Sequence, residues 1–234
     1  MKICPSQAVP AAHIGAIRSV FHSVGVLLAG GILMSVTLQA AQSRRTLQIV
    51  AFGDSLSAGF QLRPSDAFPA KLEAALKAKG HAVEIADAGV SGDTTAAGLQ
   101  RIDWAVPDGT DIVILEFGAN DMLRGLDPNA ARANLDALVK RLQAKGATVL
   151  LTGMRSLGNW GADYAARFEA IFPDLAKAHG VMLYPFFLDG VVGRRELNLS
   201  DGMHPNAAGV DEIVRRIQPM VEQVIAQVRR AKPD

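Results

Sequence analysis

Five short apolar runs, separated by longer stretches of helical periodicity, constrain the fold of this chain more than any other feature. The runs fall at 47–52, 82–86, 111–117, 147–153 and 181–184, and the helical stretches near 66–79, 94–104, 128–145, 162–179 and 205–230. Within 128–145, Leu135, Leu138, Val139 and Leu142 recur on one helix face, and in the last stretch Val210, Ile213, Val214, Ile217, Val221 and Val224 do the same. Pro219 interrupts that last stripe, and its missing N–H predicts a break or a kink there. Lys79-Gly80, Lys145-Gly146 and His179-Gly180 each read as a helix stop, because glycine takes the left-handed conformation that ends a helix before a strand. The apolar runs are continuous rather than alternating, as in strands buried on both faces. Alternation of strand and helix builds a parallel sheet with helices on both sides. The expected fold is therefore α/β: a three-layer α/β/α sandwich around a parallel, flavodoxin-like five-stranded sheet.

Ligands of such sheets bind beyond the carboxyl ends of the strands. That rule sorts the chemically capable residues. Ser55, in Gly53-Asp54-Ser55-Leu56-Ser57, follows the first strand, and Ser91-Gly92-Asp93 follows the second. Gly118-Ala119-Asn120-Asp121 follows the third, and 154–161 follows the fourth. Asp201 and His204, in Asp201-Gly202-Met203-His204-Pro205, lie between the fifth strand and the last helix. All these loops open on one edge of the sheet. His81 and His179 precede strands and so belong to the opposite edge, which leaves His204 as the histidine able to serve Ser55.

A serine hydroxyl is a poor nucleophile near neutral pH and needs an adjacent base. His204 supplies one and can later protonate a leaving group. Asp201, three residues earlier, can fix the imidazole tautomer from the far ring nitrogen. Ser55, Asp201 and His204 are thus the expected catalytic set. The plainer reading, a turn at Asp201-Gly202 and a helix start at His204-Pro205, is compatible with it. A tetrahedral intermediate also needs donors for its oxyanion, and the backbone N–H groups of Ser55 and Gly92 and the side-chain amide of Asn120 are the candidates. The structural alternatives are a plain loop glycine at Gly92 and a helix cap at Asn120. Asp54 is expected to hydrogen-bond the turn and hold Ser55 rather than to react.

These residues resemble the SGNH (GDSL) hydrolase superfamily. The resemblance rests on Gly53-Asp54-Ser55-Leu56-Ser57, Gly92, Gly118-Ala119-Asn120-Asp121 and Asp201-Gly202-Met203-His204. It is closer to the secreted bacterial thioesterase I/arylesterase/lysophospholipase group, through Phe52 to Phe60, Val90-Ser91-Gly92-Asp93-Thr94, Leu115 to Asp121, Leu123-Arg124-Gly125 and Asp201 to Asn206. It extends over essentially all the chain after the first 41 residues. It implies the SGNH hydrolase fold, Ser55 as nucleophile, Gly92 and Asn120 as oxyanion donors, Asp201 as acid and His204 as base. One departure is Ala119, where thioesterase members often have glycine; it sits beside a hole donor and bears on substrate fit.

Other readings fit less well. An α/β-hydrolase would want Gly-x-Ser-x-Gly, and position 57 is serine. A metal hydrolase would want clustered ligands, and the histidines are scattered, so neither metal nor cofactor is expected. A non-catalytic flavodoxin-like binding module would not require His204, and Gly-x-Gly-x-x-Gly is missing after the first strand. Met122, Leu123, Leu126, Leu157, Trp160 and Phe186, mostly apolar residues on active-edge loops, frame the expected acyl pocket. The expected activity is hydrolysis of carboxylic esters and thioesters: aryl or acyl esters and lysophospholipids. The alternative within the superfamily is a deacetylase of cell-wall or polysaccharide acetyl esters.

The first 41 residues contain no Asp or Glu and only Lys2 and Arg18 as Lys or Arg. The uncharged apolar stretch Val24 to Met34 follows, then small residues at Ala40-Ala41. That order predicts a secretory signal over 1–41, with the hydrolase domain at 42–234 and a periplasmic or secreted location. A retained anchor is the alternative, but the apolar run is short of the roughly 20 residues a spanning helix needs, so no stable membrane insertion is expected after cleavage. Cleavage lowers Lys plus Arg from 24 to 22 against 23 Asp plus Glu, a formal net charge of −1. That balance argues against nucleic acid as a partner. Cys4, the one cysteine, leaves with the signal, so the mature domain has no disulfide. The expected partner is a small-molecule or lipid ester bound by a monomer.

Overall fold

The computed structural model describes Met1 and residues 45–232. The expected signal, apart from Met1, lies outside the described residues. Among the described residues five parallel strands form one sheet: β1 (Leu47–Gly53), β2 (Val83–Gly89), β3 (Ile112–Glu116), β4 (Thr148–Thr152) and β5 (Met182–Tyr184). Their order is β2-β1-β3-β4-β5, the flavodoxin-like order expected. One row crosses the sheet at its carboxyl end: Gly53 pairs with Gly89 and Glu116, Glu116 with Thr152, and Thr152 with Tyr184. The functional loops all leave from that row.

The strands read as apolar because both faces are covered. Ile112 to Glu116 is buried throughout, and so are Ile49 to Phe52. The helices are α1 (Ser55–Ala58), α2 (Phe68–Ala78), α3 (Thr95–Ala105), α4 (Ala119–Leu123), α5 (Pro128–Ala144), α6 (Ala162–Glu169), α7 (Ile171–His179) and α8 (Ala207–Ala231). α2 packs on α8, while α5 packs between α3 and α7, giving the outer layers. Gly80, Gly146 and Gly180 have φ of +82°, +82° and +62°, as helix-stop glycines require. Among the described residues no helix is long and apolar enough to cross a membrane.

Three expectations about helices need correction. The stretch 162–179 is two helices, not one, parted at Ala170. Pro173 explains the break: it has no N–H for the Glu169 carbonyl, and its ring crowds that carbonyl. Pro219, by contrast, does not break α8, which runs unbroken past it. A proline inside a helix costs about 3 kcal/mol. α8 buries Val210, Ile213, Val214, Ile217, Val221, Val224, Ile225 and Val228, and each such side chain contributes about 1.5–3 kcal/mol. Burial outweighs the lost bond. α8 also starts later than expected, at Ala207, because the Asn206 side chain caps it by accepting from Gly209 N–H at 3.0 Å.

Candidate active site

The site is built where β1 ends. Gly53 closes the strand, and the chain turns at once into the single helical turn α1, with Ser55 as its first residue. Asp54 makes that turn hold. Its Oδ1 accepts from Leu56 N–H at 3.0 Å, so the carboxylate caps the turn that carries Ser55. From below, Glu116 Oε2 accepts from Asp54 N–H at 3.3 Å and from the Ser57 hydroxyl at 2.9 Å, gripping the chain on both sides of Ser55. Arg101 ties in a further loop. It donates to the carbonyls of Gly53 and Ala88, each at 2.8 Å, and to Asp93 Oδ2 at 2.6 Å.

The second half comes from the loop before α8. Asn198 and Pro205 form an isolated antiparallel bridge, and Leu199 N–H donates to the His204 carbonyl at 2.7 Å. Asn198 is itself pinned, its side-chain amide donating to the carbonyls of Val191 and Arg194. The loop between is tight enough for Asp201 to serve it twice. Oδ1 accepts from the backbone N–H groups of Met203 (2.9 Å) and His204 (3.0 Å), while Oδ2 meets His204 Nδ1 at 2.7 Å.

The two halves meet at Ser55 Oγ and His204 Nε2, 2.9 Å apart. The Phe60 ring lies 4.4 Å from the imidazole, centre to centre, and supports its far face. The three expected catalytic residues thus form one chain: hydroxyl, imidazole, carboxylate. Hydrogen bonds from His204 N–H first, and then Met203 N–H, pull the Asp201 carboxyl down to about 2, so it stays ionised beside the imidazole. A carboxylate there holds Nδ1 protonated and leaves Nε2 free to accept the serine proton.

Beneath the site sit two buried carboxyl groups. Burial pushes Asp54 up to about 6, against opposing hydrogen bonds from Leu56 and Asn120. Glu116 is raised well above the usual range, first by burial and then by the nearby Asp54 charge. Its Oε1 is the one buried side-chain N or O atom, among the described residues, without a hydrogen-bond partner. A neutral acid bears such isolation at much lower cost than a carboxylate. Nothing in the pattern of β3 flagged Glu116 beyond its place in an apolar run, yet it braces the turn that carries Ser55.

The expected oxyanion donors differ in their situation. Asn120 lies inside α4 and is not its cap; that place belongs to Gly118. The capping alternative therefore falls. Its amide donates to Asp54 Oδ2 at 3.1 Å and to the Asp93 carbonyl at 3.0 Å, linking the loops after β1, β2 and β3. Gly92 has φ +88°, a conformation that favours glycine, and Arg124 holds its carbonyl at 2.7 Å. Gly92 N–H and Ser55 N–H make no hydrogen bond to another described residue.

A cavity of about 310 Å³ opens over Ser55 and His204. Met122, Leu123, Leu157 and Phe186 line it, as expected, but Leu126 and Trp160 do not. The Trp160 ring is spent elsewhere: its N–H donates to the Met122 carbonyl at 2.7 Å, and it lies against Gly125. Sequence reading missed Met154, Arg155, Leu188, Val192, Asn198 and Met203, which also line the cavity. Among the described residues no three His, Cys, Asp or Glu side chains gather as a metal would require.

Comparison with known proteins places the chain in a family. Residues 51–211 match the model of the GDSL-like Lipase/Acylhydrolase family. The arylesterase of Vibrio mimicus is 35% identical over 189 residues, spanning 80% of this chain and 90% of that protein. Thioesterase 1/protease 1/lysophospholipase L1 of Escherichia coli (strain K12) is 35% identical over 194 residues, spanning 81% of this chain and 90% of that one. The crystal structure of AlinE4, an SGNH-hydrolase family esterase, superposes with a TM-score of 0.66 at 45% identity, covering 78% of this chain and 98% of that one.

Proposed function

The chain belongs to the GDSL-like lipase/acylhydrolase family, and from that premise we propose a serine mechanism for it. It is a carboxylic ester hydrolase, and the acyl group passes through Ser55. The observation that carries this reading is the unbroken contact from Ser55 Oγ to His204 Nε2 (2.9 Å) and from His204 Nδ1 to Asp201 (2.7 Å). Ser55 Oγ attacks the ester carbonyl carbon as its proton passes to His204 Nε2. The tetrahedral oxyanion takes hydrogen bonds from Ser55 N–H, Gly92 N–H and Asn120, whose amide exchanges one of its two bonds, to Asp54 or to the Asp93 carbonyl, for the oxyanion. On collapse the carbon–oxygen bond breaks, and the alcohol leaves with the proton from His204; a thioester would release a thiol in the same way. Water, deprotonated by His204, then attacks the acyl-enzyme and frees the acid and Ser55.

The apolar cavity supports acyl or aryl groups over acetylated sugars, whose hydroxyls would face Met122, Leu157 and Phe186. A panel of 4-nitrophenyl esters of graded chain length, an acyl thioester, a lysophospholipid and an acetylated oligosaccharide tests this. Highest kcat/KM on acyl or aryl esters is expected; highest on the acetylated sugar would make the chain a deacetylase.

Asn120→Ala should lower kcat by roughly 10²–10³-fold with KM little changed, as loss of one oxyanion donor does. It should also lower stability, because two ties between loops go with it. Asn120→Asp should be at least as poor, since it sets a second carboxylate against Asp54. Steady-state kinetics with a denaturant melt separate the two effects. Near-wild-type kcat in Asn120→Ala would remove Asn120 from the oxyanion hole.

We also propose export, with residues 1–41 as a signal cleaved close to Ala40. The basic, apolar and small segments in order support this. Amino-terminal sequencing of protein from the periplasm should begin near residue 41. Soluble cytoplasmic protein retaining Met1 would contradict it.

A further inference from the structure

Arg155 is the residue with a permanent charge on the wall of the catalytic cavity; the other lining residues are apolar or neutral polar, apart from His204. Among the described residues no carboxylate lines the cavity. Most other described arginines are occupied, Arg195 and Arg230 excepted, and neither of these lines the cavity. Arg63 pairs with Asp66, Arg132 with Asp174, Arg141 with Asp103, and Arg216 with Glu212 and Asp189. Arg155 makes no hydrogen bond or ion pair with any described residue. An acid is close in sequence and structure: Glu169 reaches the same loop. Its carboxylate accepts from Ser156 N–H at 3.1 Å and leaves Arg155 unpaired.

What Arg155 does touch is aromatic. Its guanidinium carbon lies 4.9 Å from the centre of the Phe186 ring, and Phe186 is itself part of the cavity wall. That contact seats the charge against the ring and uses none of its N–H donors. The rim of the planar group, where the N–H donors lie, stays available for an oxygen anion in the paired geometry that carboxylates and phosphates accept. Arg155 is exposed, so its attraction for an anion is screened by solvent and falls with ionic strength.

We propose that Arg155 forms an anion subsite of the catalytic cavity, and that the preferred esters carry a carboxylate or phosphate on the part that reaches it. The inference rests on the esterase reading above and names the substrate class for that site. The anion can belong to the acyl part or to the alcohol part, and two matched pairs separate these. The first pair is mono-4-nitrophenyl glutarate against 4-nitrophenyl pentanoate. The second is 1-lauroylglycerol 3-phosphate against 1-lauroylglycerol. The quantity read is the ratio of kcat/KM for the anionic member over the neutral one, in wild type and in Arg155→Gln and Arg155→Lys.

In at least one pair Arg155→Gln should lower that ratio by about tenfold, mainly through KM, as expected for loss of a charge-assisted pair. Arg155→Lys should recover part of it, since lysine restores charge without the fork. Added salt should lower the wild-type ratio and leave that of Arg155→Gln nearly level. The pair that responds identifies which part of the substrate bears the anion. Equal ratios in wild type and Arg155→Gln for both pairs would overturn the subsite. Failure of the folded wild type to hydrolyse either neutral ester would instead overturn the esterase reading beneath it. Arg155 is exposed, so the variants should fold as the parent does.

Discussion

Ser55→Ala should lose about 10⁴-fold or more in kcat and still fold like the parent protein, the size of loss seen when a triad nucleophile is removed. The substitution deletes one oxygen, whose recorded partner is His204 Nε2. The turn itself hangs on other groups: Asp54 Oδ1 on Leu56 N–H, and Glu116 on Asp54 N–H and Ser57. None of these uses the Ser55 hydroxyl. The stability change should therefore stay within about 1 kcal/mol, the usual net contribution of one hydrogen bond. Single-turnover kinetics alongside a thermal melt check both halves. Retention of even a tenth of wild-type kcat would mean that another group attacks the ester.

Asp201→Asn should be nearly as damaging, on the order of 10³–10⁴-fold in kcat, for a different reason. Asp201 has two faces. Oδ1 receives the N–H groups of Met203 and His204, and Oδ2 receives His204 Nδ1. An asparagine can keep its oxygen toward the backbone donors, so the loop survives. Its NH₂ then faces Nδ1 and forces that nitrogen to accept. The proton moves to Nε2, the atom that must take the proton of Ser55. The imidazole is in place but in the wrong tautomer. The melt should change little, and the loss should fall on kcat. If Asp201→Asn keeps most of its turnover, Asp201 is a loop-forming residue and nothing more.

The architecture was legible because each of its signals is local. Continuous apolar runs mark strands buried on two faces, and Gly80, Gly146 and Gly180 mark where helices stop. Once strands and helices alternate, chain direction places Ser55, Asn120 and His204 on one sheet edge with no further information. Periodicity could not reveal α1 or α4, which are only 4 and 5 residues long. The split at Ala170 was written in Pro173, which the reading of 162–179 as one helical stretch passed over. Pro219 misled in the opposite sense, because burial along α8 is a tertiary quantity and the proline rule is local.

The cavity was the least legible part. Met154 reaches it from the loop after β4, and Leu188, Val192 and Asn198 from the segment after β5, and no pattern in either segment says which side chains point inward. Trp160 looked like a wall residue because it is large and on the right loop, yet its N–H is bound to the Met122 carbonyl. Glu116 was hidden for a related reason. A carboxyl inside an apolar strand has no local signature of its use, and its role appears only when Asp54 N–H and Ser57 are seen to converge on it.

The most direct test of the whole account is the site of covalent labelling. The protein, incubated with an activated organophosphonate ester and digested, should yield one modified peptide by mass spectrometry, with the phosphonyl group on Ser55. Labelling should vanish in Ser55→Ala and weaken sharply in Asp201→Asn. An adduct on Ser57, Ser91 or any other serine, or labelling of Ser55→Ala at the wild-type rate, would contradict the assignment of Ser55 as nucleophile.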